Sequence, residues 1–355
     1  MAKKLVEESS LTAVADSIRE KTGGAEPLVF PEGFVTAIQG ITTGGSGGTG
    51  SGGDAPEWIK DGNTHIWITL HEGRTSPMLG VCPKGTVTVD WGDGATPDVL
   101  TGTSTSTVKW TPNHEYASAG EYIITLTVDG EMGFYGTSSL GSGVLCYTNG
   151  SDNRNRVYQN SVRFVEIGNG VTSIGSHAFS SCYSLTNVVI PEGVTSIGSS
   201  SFYNCYSLTN VVIPEGVTAI GGSAFSSCYS LTNVVIPEGV TSIWSSDFRY
   251  CYSLTNVVIP EGVTSIGSGA FYGCYSLTNV VIPGSVTSIG STAFYYCYGI
   301  AFYDFSNHTA VPTLSSADAF NGIPADCEIR VPAALYDEWI AATNWSTYAS
   351  QIVAV

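Results

Sequence analysis

The chain has 355 residues, of which 12% are charged and 42 are glycine. So few charges and so many glycines disfavour a helical bundle and favour a fold rich in tight turns. The formal net charge of −17 excludes the basic surface that binding to nucleic acid or anionic membranes requires. No run of 18 apolar residues occurs, so membrane insertion is not expected.

Residues 1–43 are predicted to form a small helical attachment module. An amphipathic helix is indicated by the spacing of four apolar residues, Leu11, Val14, Ala15 and Ile18. A second short helix is expected from Pro31. The run Leu11–Gly23, LTAVADSIREKTG, resembles a segment at the start of many phage tail and baseplate-associated proteins. The resemblance implies contacts with other virion or tail proteins through residues 1–41.

A compact β domain is predicted over residues 55–130, after a flexible Gly/Ser linker at residues 44–54. Alternation of apolar and polar residues in Thr86–Val89 and Tyr122–Val128 indicates strands in this domain.

Two motifs of this domain, Val89–Gly94 and His114–Tyr122, resemble the signatures of the PKD-type immunoglobulin-like β-sandwich. The resemblance implies that Trp91 and Tyr116 pack in the core and that the module is a spacer or interaction domain. Three carboxylates could suggest calcium, but the EF-hand spacing is absent and turn formation is the preferred interpretation. These carboxylates are Asp90, Asp93 and Asp98.

An internal repeat dominates residues 162–330, and residues 131–161 are predicted to be a connector that helps cap it. Leu185–Ser207 reads LTNVVIPEGVTSIGSSSFYNCYS, and the phrase restarts every 23 residues. The restarts are Leu208, Leu231, Leu254 and Leu277. A strict period indicates that each repeat is one coil of a solenoid, unable to bury its apolar side alone.

Within a coil, Leu185, Val188 and Ile190 follow the LxxLxL spacing of a leucine-rich-repeat strand. The whole phrase resembles the BspA-type leucine-rich repeat of bacterial and phage surface proteins. This resemblance implies an adhesin or recognition scaffold without catalytic residues. The predicted fold is therefore mostly β: a leucine-rich-repeat solenoid of 23-residue coils, preceded by a PKD-type β-sandwich and a small helical N-terminal module.

Six cysteines recur one per coil, at Cys182, Cys205, Cys228, Cys251, Cys274 and Cys297. In-register stacking holds Cβ atoms ~4.8 Å apart, farther than the ~3.8 Å of a disulfide. We expect small, buried apolar residues with free thiols. Without a CxxC pair or a histidine partner, these cysteines do not indicate a metal site.

Residues 331–355 are predicted to cover the last apolar face of the solenoid. Cys327–Val331 is expected to be the final strand, and Pro332 to open a helix containing Trp339 and Ile340.

No catalytic site, cofactor or metal site is predicted. The five histidines are scattered, and neither a P-loop nor an HExxH motif occurs. One column of recurring carboxylates follows from the repetition itself, and whether it binds cations is left open. It consists of Glu192, Glu215, Glu238 and Glu261.

Comparison of the coils with one another locates a variable segment around the recurring phenylalanine. Its Tyr, Ser, Asn, Gly and Arg residues are typical of an adaptable binding surface. The predicted ligand-binding residues are Tyr203, Asn204, Trp244, Asp247, Arg249, Tyr250, Tyr272, Tyr295 and Tyr296. The coil with Trp244 departs most from its neighbours and is the expected centre of recognition.

Two invariant columns run beside this variable segment. The tyrosines Tyr183, Tyr206, Tyr229, Tyr252, Tyr275 and Tyr298 either stack on one another and shield the cysteines or take part in binding. A second candidate surface is a stripe of outward valines, Val189, Val212, Val235, Val258 and Val281.

Function is expected to be recognition, most simply as a phage tail or receptor-binding component facing a bacterial host protein or glycan. The first residues lack the apolar core of a signal peptide, which favours a virion assembled in the host cytoplasm. The alternatives are a BspA-like adhesin on a bacterial cell surface and a structural spacer without ligand. A homotrimer is possible, although no heptad spacing supports it.

Overall fold

A computed structural model describes residues 59–71, 76–134, 145–146 and 161–355. The predicted helical module, the Gly/Ser linker and most of the predicted connector lie outside the described residues. Within these residues the fold is mostly β, as predicted, and no helix is long and apolar enough to cross a membrane.

The first described part is a β domain of six strands. They are β1 Thr64–Leu70, β2 Met78–Asp90, β3 Asp98–Thr103, β4 Lys109–Trp110, β5 Gly120–Phe134 and β6 Leu145–Cys146. Strand β2 pairs antiparallel with β3, β4, β5 and β6, and β5 pairs antiparallel with β1.

The core of this domain contains the two aromatic residues expected there. Trp91 and Tyr116 are buried, and the Tyr116 hydroxyl donates a hydrogen bond to the Trp91 carbonyl at 2.8 Å. Asp98 accepts from the Trp91 indole at 2.9 Å, while Asp93 accepts from the backbone of Ala95. The carboxylates thus serve local turn and core hydrogen bonds; the PKD-type assignment stays a prediction.

The solenoid follows as two parallel arrays of short strands. The first array consists of β7 Val162–Glu166, β9 Asn187–Val189, β11 Asn210–Val211, β13 Asn233–Val235, β15 Asn256–Val258, β17 Asn279–Val281, β19 Phe302–Asp304 and β21 Glu328–Val331. The second consists of β8 Val171–Ile174, β10 Ser196–Ile197, β12 Ala219–Ile220, β14 Ser242–Ile243, β16 Ser265–Ile266, β18 Ser288–Ile289 and β20 Thr313–Leu314. Hydrogen-bonded pairing is interrupted between β15 and β17 in the first array and between β12 and β14 in the second.

The β domain continues directly into both arrays, although sequence patterns indicated a separate domain ending at residue 130. Strand β1 pairs antiparallel with β7, opposing Ile66 to Val165, while β5 runs on to Phe134 and pairs in parallel with β8. The first coil has unpaired edges and an apolar face, which these strands satisfy. Residues 132–134, at the end of β5 and the start of the predicted connector, pair with the first coil together with β1.

Columns of identical side chains fill the solenoid. Leu185, Val188 and Ile190 are buried, as the LxxLxL spacing predicts. The phenylalanines stack with ring centroids 5.1–5.7 Å apart, from Phe179 to Phe320. Because each ring covers the next, every coil contributes to one continuous core.

The cysteine column is buried beside the phenylalanines, which confirms the prediction of small core residues. The Cys205 thiol donates to the Phe179 carbonyl of the preceding coil at 3.1 Å, and the later cysteines repeat this bond. Burial raises the pKa of the Cys182 thiol to about 12, so this thiol stays protonated and unreactive at neutral pH.

The C-terminal segment closes the other end of the solenoid. It comprises a 3-10 turn Ala333–Leu335, helix α1 Tyr336–Ala341, a 3-10 turn Trp345–Tyr348 and strand β22 Ile352–Ala354. Trp339 and Trp345 are fully buried against the last coil. The prediction that Cys327–Val331 is the final strand is wrong, because β22 pairs in parallel with β21 and adds one more strand. A parallel sheet edge left bare would expose unpaired backbone groups.

Candidate recognition surface

The variable segment has an unusual backbone that explains which residues it accepts. In each coil the residues two before and two after the phenylalanine have positive φ, the left-handed region. They are His177, Ser181, Ser200, Asn204, Ser223, Ser227, Ser246, Tyr250, Gly269, Gly273, Thr292 and Tyr296. Small and polar residues suit this conformation, whereas a tyrosine there is a strained exception.

Alternating hydrogen bonds hold this backbone. The amide of Phe179 donates to the Ser201 carbonyl of the following coil at 2.7 Å, whereas the amide of Ser180 bonds back to His177 at 3.1 Å. The pattern recurs in later coils. Each coil therefore presents the residues after its phenylalanine at the same place, so that equivalent side chains form columns.

Arg249 lies at the centre of the aromatic part of this surface. Its guanidinium carbon is 4.7 Å from the ring centroid of Tyr250 and 4.7 Å from that of Tyr272 in the following coil. Nη2 also donates to the Tyr250 hydroxyl at 2.9 Å. Two rings and one hydrogen bond thus hold the cation in a defined position.

Two further tyrosines extend this group into the next coil. The rings of Tyr272 and Tyr295 are stacked at 5.1 Å, and Tyr296 contacts Tyr295 edge-on at 4.1 Å. We call Arg249, Tyr250, Tyr272, Tyr295 and Tyr296 the Arg249 patch. The structure brings together these five of the nine predicted binding residues, and all five are half-buried.

The invariant tyrosines stack in a column, as expected, and a part for them in ligand binding stays a prediction. Their centroids are 4.6–5.4 Å apart from Tyr183 to Tyr298. The column also contacts the patch, since Tyr296 lies 5.3 Å from Tyr298. At this end the column opens to solvent: Tyr275 is 40% and Tyr298 53% exposed.

Trp244 lies apart from the patch. Its side chain is 57% exposed, and among the described residues its ring makes no ring–ring or cation–π contact. Tyr203, 38% exposed, and Asn204 precede the patch by two coils and are separated from it by Ser226 and Ser227. Three predicted residues, Trp244, Tyr203 and Asn204, thus lie outside the patch.

The prediction that Asp247 contacts ligand is wrong, because its side chain is only 1% exposed. It occupies a buried position where the flanking coils have Ala224 and Ala270. Its Oδ2 accepts from the Trp244 amide at 2.7 Å and its Oδ1 from the Ala224 amide at 3.4 Å. Burial raises the pKa of Asp247 to about 7 despite these hydrogen bonds.

The other recurring surfaces are exposed to different degrees. All members of the valine stripe, from Val189 to Val281, are half-buried, while the glutamates from Glu192 to Glu261 are exposed. Among the described residues no group of three His, Cys, Asp or Glu side chains could hold a metal ion.

Sequence reasoning missed a cleft of about 530 Å³ where the β domain meets the solenoid. Its lining includes Asp61, Glu166 and Glu192. Glu166 is buried, and its carboxylate accepts 3.0 Å hydrogen bonds from the amides of Ile59 and Lys60. The available signal was a glutamate inside an apolar strand; its role here is to anchor the chain before β1.

Comparison with known families supports the repeat assignment. Residues 153–253 and 241–317 match the BspA type Leucine rich repeat region, in six copies. The matched part is thus a leucine-rich-repeat solenoid, as the fold shows. No curated protein sequence matches the chain.

Several solved structures contain similar repeats. A leucine-rich repeat protein of T. pallidum is 28% identical, with a TM-score of 0.43, over 47% of this chain and 79% of its own. A leucine rich cell surface protein of Faecalibacterium prausnitzii is 32% identical, with a TM-score of 0.41, over 52% of this chain and 53% of its own. A leucine-rich repeat protein of Bacteroides ovatus is 25% identical, with a TM-score of 0.36, over 47% of this chain and 48% of its own. The last two are matched over about half their length.

Proposed function

We propose that this chain is a non-enzymatic recognition protein that binds a surface ligand through the Arg249 patch. The observation that carries the proposal is the position of Arg249 over the perpendicular rings of Tyr250 and Tyr272, where the preceding coil has only Ser226 and Ser227. Arginine and tyrosine are the residue types that dominate binding hot spots. BspA-type repeats are typical of adhesion and recognition proteins, which supports the same function.

Backbone strain adds an independent argument for this patch. Tyr250 and Tyr296 have φ of 61°, yet Gly273 has the equivalent place in the coil between them. A left-handed residue other than glycine costs about 1–2 kcal/mol. The fold does not need tyrosine there, and strained residues concentrate at functional sites.

The location that best suits a BspA-type match is a bacterial cell surface, so we propose an adhesin that contacts a host protein or glycan. A second candidate, a phage tail component assembled in the host cytoplasm, is favoured by the sequence Leu11–Gly23. An antibody against the solenoid separates the two. Labelling of intact producing cells supports the adhesin, whereas labelling of purified virions alone supports the tail component.

The binding surface is tested with Arg249→Ser combined with Tyr250→Ser, which restores the pair found in the preceding coil. Binding of the purified chain to a panel of intact bacterial and epithelial cells is measured by flow cytometry. Attachment should fall about tenfold or more, because one hot spot contributes about 2 kcal/mol. The matched control, Tyr203→Ser with Asn204→Ser, makes the same change two coils earlier and should bind normally. Unchanged attachment by the folded double variant contradicts the proposal.

A further inference from the structure

The coils contain very little positive charge. Arg249 is the only lysine or arginine between residues 164 and 329, whereas acidic residues recur through the same span. Arg249 is half-buried, and a buried charge is costly unless it is paired, so in a chain of net charge −17 a neighbouring carboxylate is expected. The side chains that surround Arg249 therefore indicate whether its charge is already neutralised within the chain.

Arg249 has no ion-pair partner among the described residues. The acid next to it in sequence, Asp247, turns into the core and bonds to the Trp244 amide. Arg330 provides the contrast: it too lies over a ring, that of Phe302 at 3.8 Å, but it also pairs with Glu328 at 2.8 Å. Both arginines use a ring, and only Arg330 also has a carboxylate.

We propose that the Arg249 patch binds an anionic group, a carboxylate or a phosphate ester, on a surface polysaccharide. This inference rests on the proposed recognition function and specifies its ligand. The guanidinium stays charged at any physiological pH and offers a planar fork of donors that matches the oxygens of either group. Because Tyr250 and Tyr272 already hold it in position, little side-chain entropy is lost on binding.

The surroundings of Arg249 favour a polysaccharide over an apolar partner. Tyr272 and Tyr295 present stacked rings, and the hydroxyls of Tyr295 and Tyr296 lie 3.4 Å apart beside them. Tyrosine combines an apolar ring with a polar tip. A sugar ring also has apolar C–H faces and polar hydroxyls. Its C–H face can stack on the tyrosine rings while its hydroxyls bond to the tyrosine hydroxyls.

The test measures binding of the full chain to three soluble polymers by isothermal titration calorimetry. Polygalacturonate carries carboxylates, a phosphorylated mannan carries phosphate esters, and dextran is neutral; all three are built from sugar rings. One of the two anionic polymers should bind, more weakly at higher salt, and dextran should not. Arg249→Gln should lower this affinity about tenfold or more, and Arg249→Lys, which keeps the charge but loses the fork, should lower it less.

Arg330→Gln is the matched control, because it removes one positive charge from another ring-stacked arginine and should leave polymer binding unchanged. Equal binding of dextran, or full binding by Arg249→Gln, overturns the anionic ligand. Binding of no polymer, with cell attachment still dependent on Arg249 and Tyr250, also overturns it and indicates a protein ligand. That last result contradicts the anionic ligand but not the recognition function, so failure of one proposal can be told from failure of the other.

Discussion

Trp244 and Gly290 occupy the same position in two different coils, but the backbone amide at this position has a different hydrogen-bond acceptor in each coil. At Gly290 the backbone approaches the preceding coil so closely that an added Cβ would lie 2.4 Å from the Ser268 amide nitrogen. The Gly290 amide donates to the Ile266 carbonyl of that coil at 2.7 Å. Ala293, three residues later, fills the core.

Trp244 has a Cβ at this position, and the local structure differs accordingly. Its amide donates to Asp247 within its own coil, and the second array is divided between β12 and β14 at this point. The Asp247 carboxylate thus accepts from the Trp244 amide, whereas at Gly290 the acceptor is the Ile266 carbonyl of the preceding coil. In this coil an exposed tryptophan is accompanied by a buried carboxylate that accepts from its amide, and we expect the two residues to act as a unit.

The largest effect is expected when tryptophan is placed in a coil that lacks the compensation. Gly290→Trp should destabilise the chain by about 4 kcal/mol, because the side chain clashes with the neighbouring backbone and its amide loses its acceptor. Adding Ala293→Asp should recover about 1–3 kcal/mol. Urea denaturation of both variants measures this, and the absence of any recovery would show that Asp247 does not compensate for Trp244.

The next effect is a pH dependence that only the Trp244 coil should show. An unfolded aspartate loses its proton near pH 4, whereas burial holds the pKa of Asp247 at about 7. Between these values the folded state retains a proton that the unfolded state has lost. The contribution of Asp247 to stability should therefore be highest at low pH and fall by up to about 4 kcal/mol as pH rises to about 7.

The measurement compares urea midpoints of the wild-type chain and Asp247→Ala from pH 4 to pH 8. The difference between the two should change across this window and level off above it. Parallel profiles would show that Asp247 ionises normally.

A smaller effect is the coupling between the two residues. Asp247→Ala removes the acceptor of the Trp244 amide. Trp244→Gly keeps this amide but removes the Cβ that the equivalent glycines lack, and the double variant restores a neighbouring coil. A double-mutant cycle at pH 8 should give an interaction energy of about 1–3 kcal/mol, favourable to the pair. Additive changes in stability would mean that the two residues are independent.

The smallest stability change is expected within the Arg249 patch. Tyr250→Gly relieves the left-handed strain but loses the contacts with Arg249 and Tyr272, so stability should change by no more than about 1 kcal/mol. Attachment to cells should nevertheless fall. A large loss of stability would assign Tyr250 a structural role and weaken the case for the patch.

Much of the solenoid is readable from the sequence because the 23-residue period repeats the same local information in every coil. Leu185, the phenylalanines and the cysteines follow an apolar pattern that every coil repeats, so stacking of like coils buries all of them. The β domain was harder: its strands were visible as alternation, but their pairing with β7 and β8 joins segments distant in the chain.

The sequence predicted which residues vary on the binding surface, but it did not predict which of them face solvent or contact one another. Comparison of the coils identified Arg249 and its tyrosines as variable, yet it placed Asp247 among them. Whether a residue two positions before Arg249 faces solvent or core depends on the left-handed turns at Ser246 and Tyr250. Those turns are held by hydrogen bonds to the next coil, which no single coil encodes.

The sequence by itself determined the coil, its core columns and the position of its variable segment, because these depend on residue order within one period. Only the tertiary structure decided which variable residues meet. Arg249 contacts Tyr272 across 23 positions of sequence, while Trp244, five residues before Arg249, stays apart. Stacking places equivalent segments of adjacent coils side by side, so Arg249 contacts Tyr272 of the next coil as well as Tyr250 of its own.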